Sequence, residues 1–180
     1  MLNLEVAEQT AVTESPDLTK YTGIRLDIGC GANKQTGCVG IDIRALEGVD
    51  IVHDLQVFPW PLGDESVIQA MSSHVVEHIN PADFGFINFM DEVWRILKPG
   101  AQFAVSHPYG GSARYYQDPT HVNAITEATW GYFAPNDPYG NGFLWDIYKP
   151  KPWAIDKLYA HPYGDIEILL RKITMDEVVR

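Results

Sequence analysis

The segment Arg25-Leu26-Asp27-Ile28-Gly29-Cys30-Gly31, followed by Gly40-Ile41-Asp42-Ile43, constrains this chain more than any other feature. It predicts a buried strand running straight into a bend whose glycines let backbone approach a ligand without side-chain obstruction. A second strand then ends on an acid. In nucleotide-binding α/β folds an acid there accepts hydrogen bonds from both ribose hydroxyls, and a carboxylate has the two oxygens to do so. Phosphate cradling fits less well. The full dinucleotide glycine fingerprint is absent, no Gly-Lys-Ser/Thr follows, and no helical pattern opens directly after the bend.

The rest of the pattern agrees with a sheet. Short apolar runs predict strands at Ile24–Ile28, Cys38–Ile43, Ile51–His53, Val67–Ser72 and Phe103–His107. Between the last two lies one helix, with Pro81 at its start, Asp83 in its first turn, and Phe86, Ile87, Met90, Val93, Trp94 and Leu97 at helical spacing. Lys98-Pro99-Gly100 stops it. Trp153–Ala160 and Asp165–Ile173, joined by the turn His161-Pro162-Tyr163-Gly164, predict an antiparallel hairpin at the sheet edge. The expected fold is a Rossmann-like α/β domain: a doubly wound, mostly parallel sheet with a C-terminal antiparallel hairpin. Residues 1–22 are expected to be a leader and 23–180 a single domain. Within it, the Gly-, Pro- and aromatic-rich stretch 108–150 is expected to form a lid on the acceptor side.

Bulk properties narrow the partners. The chain has 180 residues and a net charge of −11. No basic stripe is visible to displace nucleic-acid counterions, so a small-molecule acceptor is favoured over DNA or RNA, with a protein partner or homodimer left open. No apolar run approaches the roughly 20 residues that span a bilayer, and the polar N-terminus has no signal-peptide pattern; a cytoplasmic location is expected. Cys30 and Cys38 read as reduced structural thiols.

Over residues 24–107 the chain resembles class I S-adenosylmethionine-dependent methyltransferases, most of all a compact group whose first crossover is cut to a short loop. Asp27-Ile28-Gly29-Cys30-Gly31 is similar to the family's first motif and Asp42 to its ribose-binding acid. His53-Asp54-Leu55 is similar to the end of the third strand, where the acid commonly contacts the adenine amino group. Phe58-Pro59-Trp60-Pro61-Leu62 with Asp64-Glu65-Ser66-Val67 resembles the stretch leading into the fourth strand. Ser72-Ser73-His74-Val75-Val76-Glu77-His78 resembles the S-H-V-L-E-H segment after it, and Arg95-Ile96-Leu97-Lys98-Pro99-Gly100 the R-V-L-K-P-G helix ending.

The resemblance implies S-adenosylmethionine as cofactor, with S-adenosylhomocysteine as product, in a groove across the strands' carboxyl ends. Its implied binding residues are Asp27, Gly29, Cys30, Gly31, Asp42, Ile43, Asp54, Leu55, Ser73 and His74. Asp27 either holds the glycine loop or reaches the cofactor amine through water. Trp60 and Phe58 either line the adenine pocket or pack the core. His74, Glu77 and His78 could share a helical face, but the spacing is not His-Glu-x-x-His and no metal is expected. His107, after the fifth strand, and His121, with Asp118 to orient it, are the candidate catalytic residues; a neutral histidine can take a proton from a hydroxyl or amine. Tyr109, Tyr115, Tyr116, Trp130, Tyr132, Phe133 and Trp145 are expected to wall the acceptor pocket. The expected function is methyl transfer to O or N of a small-molecule or glycan-like acceptor. The alternative is a non-catalytic cofactor-binding or protein-interaction module on the same fold.

Overall fold

A computed structural model describes residues 20–161 and 164–179. Most of the expected leader, and Pro162 and Tyr163 of the expected hairpin turn, lie outside the described residues. The strands are β1 (Ile24–Ile28), β2 (Val39–Asp42), β3 (Ile51–Val52), β4 (Val67–Ser73), β5 (Leu97–Pro108), β6 (Trp153–Ala160) and β7 (Asp165–Lys172). They form one seven-stranded sheet in the order β3-β2-β1-β4-β5-β7-β6. Neighbours from β3 to β5 pair in parallel, while β7 runs antiparallel to both β5 and β6. This is the mostly parallel, Rossmann-like sheet with a C-terminal antiparallel pair that the sequence predicts.

That order positions the site. After β1 the chain moves to one side of the sheet, towards β2; after β4 it moves to the other, towards β5. The two departing loops therefore part, leaving a crevice at the carboxyl ends of β1 and β4, where open α/β sheets bind ligands. Ile28 pairs with Ser72, which sets the Gly29–Gly31 bend beside the His74–His78 turn.

Side chains alternate across the sheet, and the two faces differ. Leu26, Ile28, Ala70, Phe103, Val105, Ile168 and Leu170 are buried against helix α1 (Gly85–Ile96), through Phe86, Phe89, Met90, Val93 and Ile96. On the opposite face Gln69 and Glu167 are exposed and Met71, Ala104 and Leu169 half-buried. Among the described residues no helix lies between β1 and β2 or between β2 and β3.

The helix begins later than its sequence pattern suggests. Asp83 and Phe84 adopt left-handed φ values of 51° and 62°. Gly85 then approaches the carbonyl oxygen of Asn80 so closely that a Cβ would overlap it, so the regular helix starts at the glycine. At the other end Leu97 is already extended. Pairing of β5 with β4 jumps from Leu97 opposite Val67 to Gln102 opposite Gln69, so Lys98–Ala101 bulge out, with Gly100 at φ 74°.

The connection from β3 to β4 is held by charge rather than by a helix of its own. Glu92 of α1, 7% exposed, accepts the backbone N–H of Trp60 at 2.6 Å and both Nε and Nη2 of Arg95 at 2.9 and 2.6 Å. Arg95 also donates to the Leu62 carbonyl at 2.9 Å and to Asp64 at 2.5 Å. Two of the segments quoted above, Phe58–Leu62 and Arg95–Gly100, thus meet in one hydrogen-bonded staple. Trp60 is core: 1% exposed, edge-on to Phe89 at 5.5 Å, its Nε1 donating to the Leu55 carbonyl.

Residues 109–152 fold as short helical pieces, α2 (Ala113–Tyr116) and α3 (Trp145–Tyr148) with 3₁₀ segments at Glu127–Tyr132 and Gly142–Leu144. Trp130 and Phe133 lie 6.0 and 5.3 Å from the Phe86 ring and are buried with it. Phe133 and Trp130 therefore fill the core beside α1, and Trp145, 3% exposed, donates to the Pro150 carbonyl. Tyr116 points to solvent at 73% exposure. The expected aromatic wall around an acceptor pocket is not formed by these side chains. The large rings were needed for packing.

Candidate active site

Gly29 and Gly31 hold φ values of 70° and 52°, which glycine adopts without Cβ strain. A Cβ on Gly29 would overlap Cγ2 of Val75, so the bend can pass beside the β4 turn only if that residue lacks a side chain. The Gly31 N–H donates to Oδ2 of Asp42 at 2.8 Å, and the Arg44 N–H and Nε donate to Oδ1 at 2.9 and 3.2 Å. Burial opposes ionisation of Asp42, which is 4% exposed, but the amide bonds from Arg44 and Gly31 and the Arg44 guanidinium outweigh it and hold its pKa below the usual carboxylate value. Asp42 is thus kept charged and aimed.

A groove of about 420 Å³ opens beside it, within the range of small-molecule sites. Of the residues expected to hold a cofactor, Gly29, Asp42, Ile43, Asp54, Leu55 and His74 line it. Arg44, Gln56, Val75, His78 and Ile79 line it too and were not anticipated.

The other expected residues sit elsewhere. Asp27 accepts the Gln35 N–H at 2.8 Å and so holds the glycine loop; burial raises its pKa. The Cys30 thiol packs against Gly40, where a Cβ would come within 2.5 Å of its sulfur. Gly31 contributes through its hold on Asp42. Ser73 has the opposite strand parity and lines a separate cavity on the face opposite α1, with Met71, Ala104 and Ser106.

A second, polar cavity of about 180 Å³ adjoins the groove and shares His74 and His78 with it. Glu77, Pro108, Arg114, Gln117, Asp118 and His121 complete its lining. His74 closes β4 at φ 55°, a costly conformation for a non-glycine residue. Its Nδ1 lies 3.2 Å from Oε1 of Glu77, and that bond raises the His74 pKa against the opposing effect of burial. His121 reaches this turn because Val122 and Asn123 donate their N–H groups to the Glu77 carbonyl at 2.9 and 3.0 Å, and Asn123 Nδ2 donates to the Val76 carbonyl.

The two candidate histidines separate cleanly. His121 donates from Nδ1 to the Tyr115 carbonyl at 2.7 Å, which leaves Nε2 with a free lone pair 3.9 Å from both Glu77 Oε1 and Asp118 Oδ2. His107 is fully buried, its Nδ1 against the Pro108 carbonyl at 2.8 Å and its Nε2 accepting Trp130 Nε1–H at 3.3 Å. Burial pushes its pKa down. With both nitrogens engaged, His107 has nothing to offer an acceptor; it anchors Trp130 instead of the catalytic part expected for it. Asp118 is half-spent as well, since its Oδ1 accepts the Thr120 N–H and hydroxyl at 2.8 and 2.7 Å.

This architecture has solved counterparts. The fold is shared with S-adenosylmethionine-dependent methyltransferases. One from Mesorhizobium loti is 14% identical, with a TM-score of 0.56 over 85% of this chain and 93% of its own. One from Archaeoglobus fulgidus is 17% identical, with a TM-score of 0.55 over 86% of this chain and 89% of its own. The 1,6-didemethyltoxoflavin-N1-methyltransferase of Burkholderia thailandensis, solved with bound 1,6-didemethyltoxoflavin and S-adenosylhomocysteine, is 12% identical with a TM-score of 0.56 over 87% of this chain and 73% of its own. At these identities the likeness is one of fold. No protein-family model and no curated protein matches the chain.

Proposed function

We propose that this chain transfers a methyl group from S-adenosylmethionine to an oxygen or nitrogen of a small-molecule or glycan-like acceptor, releasing S-adenosylhomocysteine. One observation carries the reading: the Asp42 carboxylate, held charged at the end of β2, faces a nucleoside-sized groove that opens into a polar cavity at His74 and His78.

The residues present suit the cofactor. A carboxylate has about four lone-pair directions. Three in Asp42 are taken by Gly31 and Arg44, leaving one on Oδ2 for a ribose hydroxyl. The Nε contact at 3.2 Å comes from a side chain 64% exposed, so it can yield a second. Ile43 is apolar yet 60% exposed at the groove, where a flat base would cover it, with Leu55 and Ile79 beneath. Asp54 accepts the Gln56 N–H on Oδ1 at 2.9 Å, which leaves Oδ2 to accept from an exocyclic amine. Asp42 and Asp54 together favour a cationic ligand.

S-adenosylmethionine supplies a methyl group on a positively charged sulfur, already activated for in-line displacement. The chain's own task is then alignment. Asp42 and the Gly29 bend fix the cofactor's place, and the small cavity holds the acceptor beside His74, with the bare Nε2 of His121 on its wall. A net charge of −11 disfavours a polyanionic acceptor.

Calorimetry with S-adenosylmethionine, S-adenosylhomocysteine and NAD, followed by transfer of labelled methyl to O-, N- and S-nucleophiles, tests this. Both sulfur ligands should bind and NAD should not, and Asp42→Ala should abolish binding. Binding of NAD alone would overturn the reading.

A further inference from the structure

We propose that Glu77, His78 and His121 bind a divalent transition-metal ion at the boundary between the cofactor groove and the small cavity. The site stands on its own geometry; its purpose, holding the methyl acceptor, rests on the methyl-transfer reading.

Each of the three residues offers a ligand atom, and these lie within 4.8 Å of one another. Around an ion with bonds of about 2.1 Å, ligand atoms sit about 3.0–4.2 Å apart, so closing the site takes only small side-chain rotations. Both imidazoles are already oriented from behind. His121 donates from Nδ1 to the Tyr115 carbonyl at 2.7 Å. The Thr120 hydroxyl gives its proton to Asp118, so at 3.2 Å it accepts from Nδ1 of His78. Each ring therefore keeps its proton on Nδ1 and a lone pair on Nε2. That is the outer hydrogen-bonding arrangement by which ligating histidines are held.

The independent observation is Glu77. It is 0% exposed, and its Oε2 is buried with no hydrogen-bond partner among the described residues. A buried carboxylate oxygen without a partner is expensive and rare. Its Oε1 lies 3.2 Å from His74 Nδ1 and 3.9 Å from His121 Nε2, so the carboxylate is directed into the cluster rather than away from it. The nearby cation Arg114 is ion-paired with Asp165, which offsets its repulsion of an ion. An ion at this place gives the Glu77 carboxylate, one of whose oxygens lacks a partner among the described residues, and both bare nitrogens a common ligand.

Two imidazoles and one carboxylate select zinc, manganese, iron(II) or cobalt over magnesium or calcium, which prefer all-oxygen surroundings. Three protein ligands leave coordination positions open towards the small cavity, where an acceptor hydroxyl can enter. Coordination lowers the hydroxyl's pKa. Its proton passes to water, an oxygen lone pair forms the new C–O bond, and the C–S pair stays on sulfur. His121 then serves as a ligand, in place of the proton acceptor that the sequence suggested.

The test uses the whole, tag-free protein dialysed against EDTA, titrated with Zn²⁺ by calorimetry and with Co²⁺ by visible absorption. One equivalent should bind with roughly micromolar affinity or tighter, with cobalt bands of a histidine-containing site. His78→Ala and His121→Ala should each weaken Zn²⁺ binding by about 100-fold or more. Glu77→Gln should do the same. Should that buried variant fail to fold, the two histidine variants, checked by circular dichroism, carry the test. S-adenosylhomocysteine binding to the metal-free protein separates the two readings. If it persists while no Zn²⁺ or Co²⁺ is taken up, the ion site alone is overturned; if it fails while one equivalent of Zn²⁺ binds at these residues, the methyltransferase reading alone falls. Zn²⁺ binding left unchanged by all three variants would also overturn the site.

Discussion

Replacing Gly29 by alanine probes the bend on which the cofactor groove depends. Two costs follow from the structure. The residue sits at φ 70°, and left-handed backbone costs a residue with a Cβ roughly 1–2 kcal/mol. The new methyl would also overlap Cγ2 of Val75 and stand 3.2 Å from Cγ1, and overpacking of this kind costs about 1–3 kcal/mol. The sum is about 2–5 kcal/mol, which for a chain of this size lowers the melting temperature by about 5–15 °C. The two parts can be told apart. In Gly29→Ala/Val75→Ala the overlap is gone but the φ strain remains, so the double variant should be more stable than the two single changes added together. Thermal and urea unfolding of all four proteins measures that coupling. S-adenosylhomocysteine affinity should follow the same order, because the bend must shift to relieve the overlap. A Gly29→Ala protein that melts within about 2 °C of the parent would show that the bend does not need its glycine, and strictly additive single changes would show that Val75 does not crowd it.

Other outcomes follow from the same geometry. Arg95→Ala leaves Glu92 buried with only the Trp60 N–H for company, and should cost about 2–4 kcal/mol by urea unfolding. Arg95→Lys should recover little of it, since an ammonium cannot span Glu92, Asp64 and the Leu62 carbonyl as the planar fork does. His107→Phe should cost about 1–3 kcal/mol, because it orphans the Trp130 N–H, yet leave the turnover of the folded fraction intact. Asp42 has a folded pKa below its unfolded value, so its stabilising contribution is complete well above about 4 and lost as pH falls through the folded value. The stability gap between the parent and Asp42→Asn should therefore be flat from pH 7 to about pH 5 and shrink in more acidic solution.

What the sequence revealed and what it hid follow from the range of the interactions involved. The bend and the acid of β2 are legible because their geometry is local: the Gly31 N–H meets the Asp42 carboxylate within one crossover and the strand it serves. The parallel order is legible for the same reason, since strand runs and a single helix carry their own periodicity. Ser73 could have been excluded by parity, as it shares a face with Met71 and not with the buried Ser72. The rest depended on distant partners. Nothing near His107 announces that Trp130 will occupy its Nε2, and nothing near Trp130 or Phe133 announces that Phe86 will draw them into the core. Most telling is Glu77 with His78, whose spacing alone suggests little. Their meaning appears only when the Glu77 carbonyl captures the N–H groups of Val122 and Asn123 and brings His121 to them.

The most direct measurement is a crystal structure of the protein grown with S-adenosylhomocysteine. The ribose hydroxyls should lie on the Asp42 carboxylate, the base over Ile43 and Leu55, and the sulfur end should be directed towards His74. A ligand lodged elsewhere, or a groove filled by the chain's own atoms with Asp42 turned wholly inward, would contradict it.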